Sequence, residues 1–326
     1  MKAPVFIVGC PRSGTSMLYH MLLSAGGFAH FRTQMNVFDV LRANYGDLGA
    51  LKNKRRMMKE WLQSRAFMVS GLDAASIEAK ILSECRSTAD FERIVMGEVA
   101  RTQGVDRWAD STPTNIPHLL EIKQGFPDAL VVHIIRDGRN AALSIDRHGW
   151  SRPLPWDRKR SLLAAGLYWE WIVRKGRELG AHIQPDYMEV RYEDLVNKPR
   201  ETLAQLGRFI DHDLDYGHIQ QVAVGSVRNP LTTFAAELKQ GSFDPIERFK
   251  KMFSPEELVL FESLVGRYLD ELGYPPVTPE TERDRGFQVT MLRLIYFSFY
   301  GLKQWVKSKT RLSRFFVQYS DTLIEK

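Results

Sequence analysis

Only two cysteines, Cys10 and Cys85, occur in 326 residues. So few thiols exclude a disulfide framework and a Cys-based metal cluster, and no metal is expected. A reducing compartment fits this usage. No secretory leader is expected either: after Met1-Lys2 comes a brief apolar run that Pro11-Arg12 ends, too short for an h-region with a cleavage site. Cytoplasmic residence is therefore the expectation. The chain has no internal repeats and no low-complexity segments. Long uninterrupted apolar runs are lacking too, since the longest stretch, 287–306, carries Arg293 and Lys303 and is broken too early for a transmembrane helix. The formal net charge of +6 is concentrated at one end: residues 283–326 hold nine Lys/Arg against three Asp/Glu, so the preceding residues nearly balance. That balance argues against a nucleic-acid-binding body.

What is present begins with residues 5–24. Val5 to Val8 is a short apolar run rich in β-branched residues and bounded by Gly9, the pattern of a buried parallel strand. Thr15 to Ser24 has helical spacing, with Met17, Leu18, Met21 and Leu22 on one face. Between them, Gly9-Cys-Pro-Arg-Ser-Gly14 forms a tight loop whose backbone N–H groups, with the helix start behind them, suit a phosphate or sulfate. The glycines have Walker A spacing, but Thr15 stands where a P-loop NTPase has its Lys. The positive charge comes instead from Arg12, inside the loop.

Further along, residues 40–106 read as helical without strand alternation, a helical insertion covering one side of the sheet. Phe28 to Asp39 reads as the loop before it. A short strand near Arg107–Asp110 follows, then the strongest buried-strand signal, Ala129–Ile135, then a helix from Ala141, a long helix over Ser161–Leu179, an alternating strand Tyr187–Arg191 and a helix over Thr202–Ile210. Strands alternating with helices predict an α/β fold with a P-loop-like, doubly wound parallel sheet flanked by helices. In such sheets ligands bind at the carboxyl ends of the strands.

Arg136 lies directly after the strongest strand, and Ser144 follows two turns into the next helix. A guanidinium fork and a hydroxyl at this spacing can face one phosphate. Asp137 also admits a Walker B reading, but a magnesium site would need the missing Lys. A role in ordering Arg136 or Arg139 fits Asp137 better.

The segment Pro11-Arg-Ser-Gly-Thr-Ser16 after a first strand, with Arg136 and Ser144 behind it, resembles the 5′-phosphosulfate loop and 3′-phosphate site of sulfotransferases that use 3′-phosphoadenosine 5′-phosphosulfate (PAPS). The likeness covers roughly residues 4–275, and it is to the bacterial branch with Pro-Arg-Ser-Gly-Thr. It implies PAPS as co-substrate, bound by Pro11, Arg12, Ser13, Gly14, Thr15, Ser16, Arg136 and Ser144. Tyr192, in Val190-Arg-Tyr-Glu-Asp-Leu195, would stack on the adenine. Arg248 and Lys250 would be the basic strip near the 3′-phosphate, with Lys239 a further candidate. Sulfuryl transfer resembles phosphoryl transfer in needing in-line positioning and fixed charge on the leaving group, a catalytic task for Arg12.

Relatives carry a general-base Glu in the loop after the first helix, and that position falls here at Gln34, which accepts no proton at neutral pH. Asp110, in Trp108-Ala-Asp-Ser-Thr-Pro113, is the preferred substitute base; His30, His118 and Asp39 are lesser candidates. A catalytically weak or inactive PAPS-binding homologue is the alternative reading, and a P-loop kinase or NTPase a third. The acceptor would be a hydroxyl (or amine) on a small molecule, glycan or lipid. The resemblance makes 1–278 the α/β domain and leaves 279–326 as a basic amphipathic helical extension. Two roles are open for that extension: peripheral contact with anionic membrane, or packing on the domain or on a second copy as a homodimer.

Overall fold

A computed structural model describes residues 1–151, 153–232, 239–241, 244–284 and 286–310. Four parallel strands form the central sheet in the order β2-β1-β3-β4, with β1 at Val5–Gly9, β2 at Ala109–Asp110, β3 at Leu130–Ile135 and β4 at Tyr187–Arg191. β1 and β3 are paired from Val5↔Leu130 to Gly9↔Ile134. Alternation along these strands sends side chains to two cores. Phe6, Val8, Val131 and Ile135 belong to one, and Val5, Ile7, Val132 and Ile134 to the other. Both faces are thus covered, as parallel sheets require. The expected doubly wound α/β architecture is the one observed.

On one face lie α1 (Thr15–Ala25), α11 (Pro199–Ile210) and α12 (Tyr216–Val222), contributing Leu18, Leu22, Leu203, Leu206 and Ile219 to the core. On the other lie α8 (Gly138–Arg147) and the long α9 (Ser161–Ala181), whose Trp169 is fully buried and donates from Nε1 to the Arg136 carbonyl at 3.0 Å. Five helices, α2 (Val37–Tyr45), α3 (Leu51–Trp61), α4 (Arg65–Ser70), α5 (Ala74–Glu84) and α6 (Thr88–Thr102), fill the stretch between β1–α1 and β2. The loop expected to reach Asp39 ends at Asn36, because Val37 and Phe38 already bury into the core as the first turn of α2. Between β2 and β3 a 3₁₀ turn over Pro113–His118 passes into α7 (Leu119–Gly125). A short α10 (Tyr192–Asn197) leaves β4 directly.

The closing helix Pro255–Glu271 starts with a capping box: the Glu257 N–H donates to Ser254 Oγ at 3.2 Å and the Ser254 N–H to Glu257 Oε2 at 2.9 Å. The C-terminal helix, Phe287–Lys309, packs on the body along α9 and α2. Its Arg293 meets Glu170 at 2.6 Å, a carboxylate with no exposed side-chain surface, and its Tyr300 hydroxyl donates to the Ala164 carbonyl at 2.8 Å. No helix among the described residues is long and apolar enough to cross a membrane. Arg311 and Arg314, the outer part of the basic extension, lie outside the described residues.

Candidate active site

The loop after β1 owes its shape to two left-handed residues, Arg12 (φ 71°) and Gly14 (φ 102°). A Cβ on Gly14 would stand 2.5 Å from the Tyr192 ring, so this glycine provides both the backbone angle and the close approach. The turn is closed by the Ser13 N–H donating to the Cys10 carbonyl at 3.1 Å, and α1 begins at Thr15. The free N–H groups of that first turn point out of the sheet's carboxyl edge, as an anion site requires.

Arg136, at the end of β3, reinforces the loop. It donates to the Arg12 carbonyl at 2.8 Å and to the Pro245 carbonyl at 2.6 Å, and its guanidinium lies 4.4 Å over the Tyr192 ring. Its Nε is buried without a partner. Arg12 donates from Nε to Ser144 Oγ at 3.0 Å and toward the Leu231 carbonyl at 3.2 Å. Burial lowers the Arg12 pKa, and the neighbouring Arg136 charge lowers it further. Arginine keeps its charge regardless, so the two guanidinia hold an uncompensated positive potential.

These side chains line a cavity of about 300 Å³ with Gly14, Thr15, Ser16, Tyr192 and Arg248. Among the described residues, no Asp or Glu lines it. Of the expected donor-site residues, Arg12, Gly14, Thr15, Ser16, Arg136, Ser144, Tyr192 and Arg248 are brought together. Ser13 sits fully buried behind the loop, with its hydroxyl unpartnered. Lys250 pairs with Glu247 at 2.5 Å on the surface and does not line the cavity. Phe249, buried 4.0 Å beneath the Arg139 guanidinium, turns Arg248 inward and Lys250 outward. Lys239 is exposed.

A second cavity of about 600 Å³ shares Arg12, Thr15 and Ser16 with the first and extends past Pro11 and Gln34. Asp110 does not line it and is 4% exposed. One carboxylate oxygen accepts from Thr112 Oγ1 at 2.7 Å and the other from Asn115 Nδ2 at 2.6 Å. Burial raises its pKa, those hydrogen bonds oppose the rise, and the result is about 6. Its oxygens fix the Thr112–Asn115 turn, behind the cavity wall.

Asp39 does line the larger cavity. Its Oδ1 meets His118 Nε2 at 3.0 Å and its Oδ2 meets Lys307 Nζ at 2.5 Å. Burial alone would raise this carboxyl's pKa, but Lys307 and His118 overcome it and hold the pKa well below the usual carboxylate range. Burial likewise disfavours charged His118, yet its bonds to Asp39 and Glu121 raise its pKa to about 8. The sequence offered Asp39 and His118 singly; their union with Lys307 was not read from it. The Walker B reading of Asp137 does not survive, because both its oxygens are occupied by Arg139, with an ion pair at 2.7 Å. Arg139 in turn binds buried Glu262 at 2.7 Å. Among the described residues no group of three His, Cys, Asp or Glu side chains is arranged to hold a metal ion.

Residues 4–216 match the family model described as the sulfotransferase family. Two solved structures share the fold at 19% identity. The sulfotransferase domain from the curacin biosynthetic pathway aligns with a TM-score of 0.58 over 84% of this chain and 98% of its own. The sulfotransferase domain from the Synechococcus PCC 7002 olefin synthase aligns with a TM-score of 0.54 over 78% of this chain and 90% of its own. No curated protein matches the sequence.

Proposed function

The chain belongs to the sulfotransferase family, and from that premise we propose that it moves a sulfuryl group from PAPS to a hydroxyl (or amine) acceptor and releases adenosine 3′,5′-bisphosphate. The observation that carries this reading is the smaller cavity: three arginines, a helix N-terminus and Ser144 around one space, with no lining carboxylate among the described residues. That donor set fits a nucleotide with two phosphate groups.

In this reading Arg136, Ser144 and Arg248 hold the 3′-phosphate, and Tyr192 offers its ring to the adenine. The Thr15 and Ser16 hydroxyls and the loop N–H groups hold the 5′-phosphosulfate. PAPS supplies the activated sulfuryl group: a bond forms from the acceptor oxygen to sulfur, the sulfur–oxygen bond to the 5′-phosphate breaks, and the electron pair leaves with the phosphate. Arg12 and the α1 N-terminus offset that developing charge. The shared position of Arg12, Thr15 and Ser16 between the cavities aligns donor and acceptor, which is where most of the rate would come from.

The acceptor's proton must also leave; Gln34 cannot take it, and Asp110, with its pKa raised to about 6, is the candidate to receive it. Asp39, with its low pKa and two cationic partners, is a poor base. Gln34 in the cavity wall favours a second reading, a homologue that binds the donor and turns over slowly.

Calorimetric titration with adenosine 3′,5′-bisphosphate tests the donor assignment. Arg136→Ala should weaken binding at least tenfold, the loss of a charge-assisted contact of about 1.5–3 kcal/mol. Unchanged affinity in a folded Arg136→Ala variant would refute it.

A further inference from the structure

The C-terminal helix, Phe287–Lys309, lies wholly beyond the residues that match the family model. Its inner face is part of the acceptor wall, with Phe299, Tyr300 and Lys307 lining the larger cavity. Arg293 on buried Glu170, the Tyr296 hydroxyl on Asp157 and the Tyr300 hydroxyl on the Ala164 carbonyl fix the rotation of the helix. The outer face is therefore fixed as well, and it is apolar. Phe287, Met291, Leu294, Ile295, Leu302 and Trp305 are between 38% and 77% exposed. At roughly 150–250 Å² for a whole large side chain, those fractions leave on the order of 600 Å² of apolar surface, the upper end for the largest patch on a monomer.

Among the described residues, every exposed one from Phe287 to Trp305 is uncharged. The cations of that stretch turn away from the outer face, Arg293 to Glu170 and Lys303 to the cavity. A helix that lies on an anionic membrane carries Lys and Arg beside its apolar face. This one does not, which favours a protein surface.

The stripe also has the period of a helix pair. Phe287, Met291, Leu294, Ser298, Gly301 and Trp305 follow in steps of four, three, four, three and four residues, the spacing of a coiled-coil seam. The seam runs about 27 Å along the helix. Laid antiparallel on a second copy, with a two-fold axis at the level of Tyr296, Phe287 of one protomer stands opposite Trp305 of its partner. Met291 then stands opposite Gly301, and Leu294 opposite Ser298, so each inner pair sets a large side chain against a small one. A parallel pair would set Gly301 on Gly301 and Trp305 on Trp305, a gap beside a bulge. Gly301 has no other explanation in the fold. Glycine in mid-helix is unfavourable relative to alanine, and a Cβ here would meet nothing within 4 Å. Close approach of a second helix accounts for it.

We infer that the outer face is an isologous dimer interface, in which two copies of this chain pair their C-terminal helices antiparallel along the seam. Two such faces bury about 1,200 Å², above the roughly 1,000 Å² that a specific interface must clear. The inference does not depend on the donor assignment.

Sedimentation equilibrium of the full chain tests it. The wild type should show twice the 37.5 kDa chain mass at about 20 µM. Gly301→Ala, which an unpaired helix would favour, should weaken association at least about fivefold. Gly301→Glu should leave a monomer at the same concentration. Met291→Lys combined with Gly301→Glu should restore the dimer, because the antiparallel register sets the two new charges opposite each other and a parallel one would set like on like. Position 301 faces open space in its own chain, so these variants keep the fold, which circular dichroism checks. A monomeric wild type, or a dimer untouched by Gly301→Glu, would overturn the proposal. Dissociation by Gly301→Glu with no restoration in the double variant would overturn the antiparallel register. Flotation of a monomeric wild type with phosphatidylglycerol vesicles, abolished by Leu294→Glu with Trp305→Glu, would assign the stripe to a membrane and overturn the dimer.

Discussion

Replacing Asp39 with Asn removes a carboxylate that joins the C-terminal helix, through Lys307, to His118 of the body. Asp39 is 3% exposed, His118 6%, and the Lys307 side chain 15%. Breaking a buried ion pair by deleting one partner costs about 3–5 kcal/mol. Here Lys307 can turn toward solvent and His118 can shed its proton, so the lower end, about 3 kcal/mol at pH 6, is expected. For a domain of this size that lowers the Tm by roughly 5–10 °C. The effect should depend on pH in a stated direction. His118 has a folded pKa of about 8 against an ordinary value of 6.5. A raised pKa contributes stability that is fully present below 6.5 and lost as the pH rises through 8, amounting to about 2 kcal/mol. In wild type most of that comes from Asp39. The gap between wild type and Asp39→Asn should therefore shrink to roughly 1–2 kcal/mol at pH 9. Chemical denaturation at pH 6 and pH 9, on both proteins, measures it. A gap that is absent at pH 6, or that widens toward pH 9, would refute the placement of the ion triad.

Two further substitutions probe the loop and the missing base. Gly14→Ala should cost about 2–4 kcal/mol, because alanine is strained at φ 102° and its Cβ would meet the Tyr192 ring at 2.5 Å; stability equal to wild type by denaturant titration would show that the loop is not so shaped. Gln34→Glu puts a carboxylate in the cavity wall and should raise kcat at least about tenfold, with a new acidic limb in the pH–rate profile. An unaltered rate and profile would mean that proton removal does not limit turnover.

The sheet was legible because its two central strands are short apolar runs ending at Gly9 and Arg136, because Tyr187–Arg191 alternates, and because Gly14 and the Arg136–Ser144 spacing are local signals. Two placements that the sequence left open share one cause. Arg248 and Lys250 are two residues apart, and their sequence does not state which faces inward; that is decided by Phe249 docking beneath Arg139, more than a hundred residues away. Asp110 looked like a free carboxylate at a strand end, but Asn115 and Thr112 claim it in the folded turn. The acceptor wall was the least legible part. It depends on Lys307 meeting Asp39 across 268 residues of chain, a long-range pairing that periodicity cannot report. The helix itself was visible; the partner it chose was not.

The central claim is a donor site for a nucleotide carrying both 3′- and 5′-phosphates. Thermal stability should be compared with adenosine 3′,5′-bisphosphate, adenosine 5′-monophosphate and magnesium ATP. A ligand that binds only the folded chain raises the Tm as its concentration exceeds Kd, about 2.7 kcal/mol at a hundredfold excess. The account predicts a rise with the bisphosphate, little with the monophosphate or magnesium ATP, and loss of that rise in Arg136→Ala. A rise with magnesium ATP and none with the bisphosphate would contradict it.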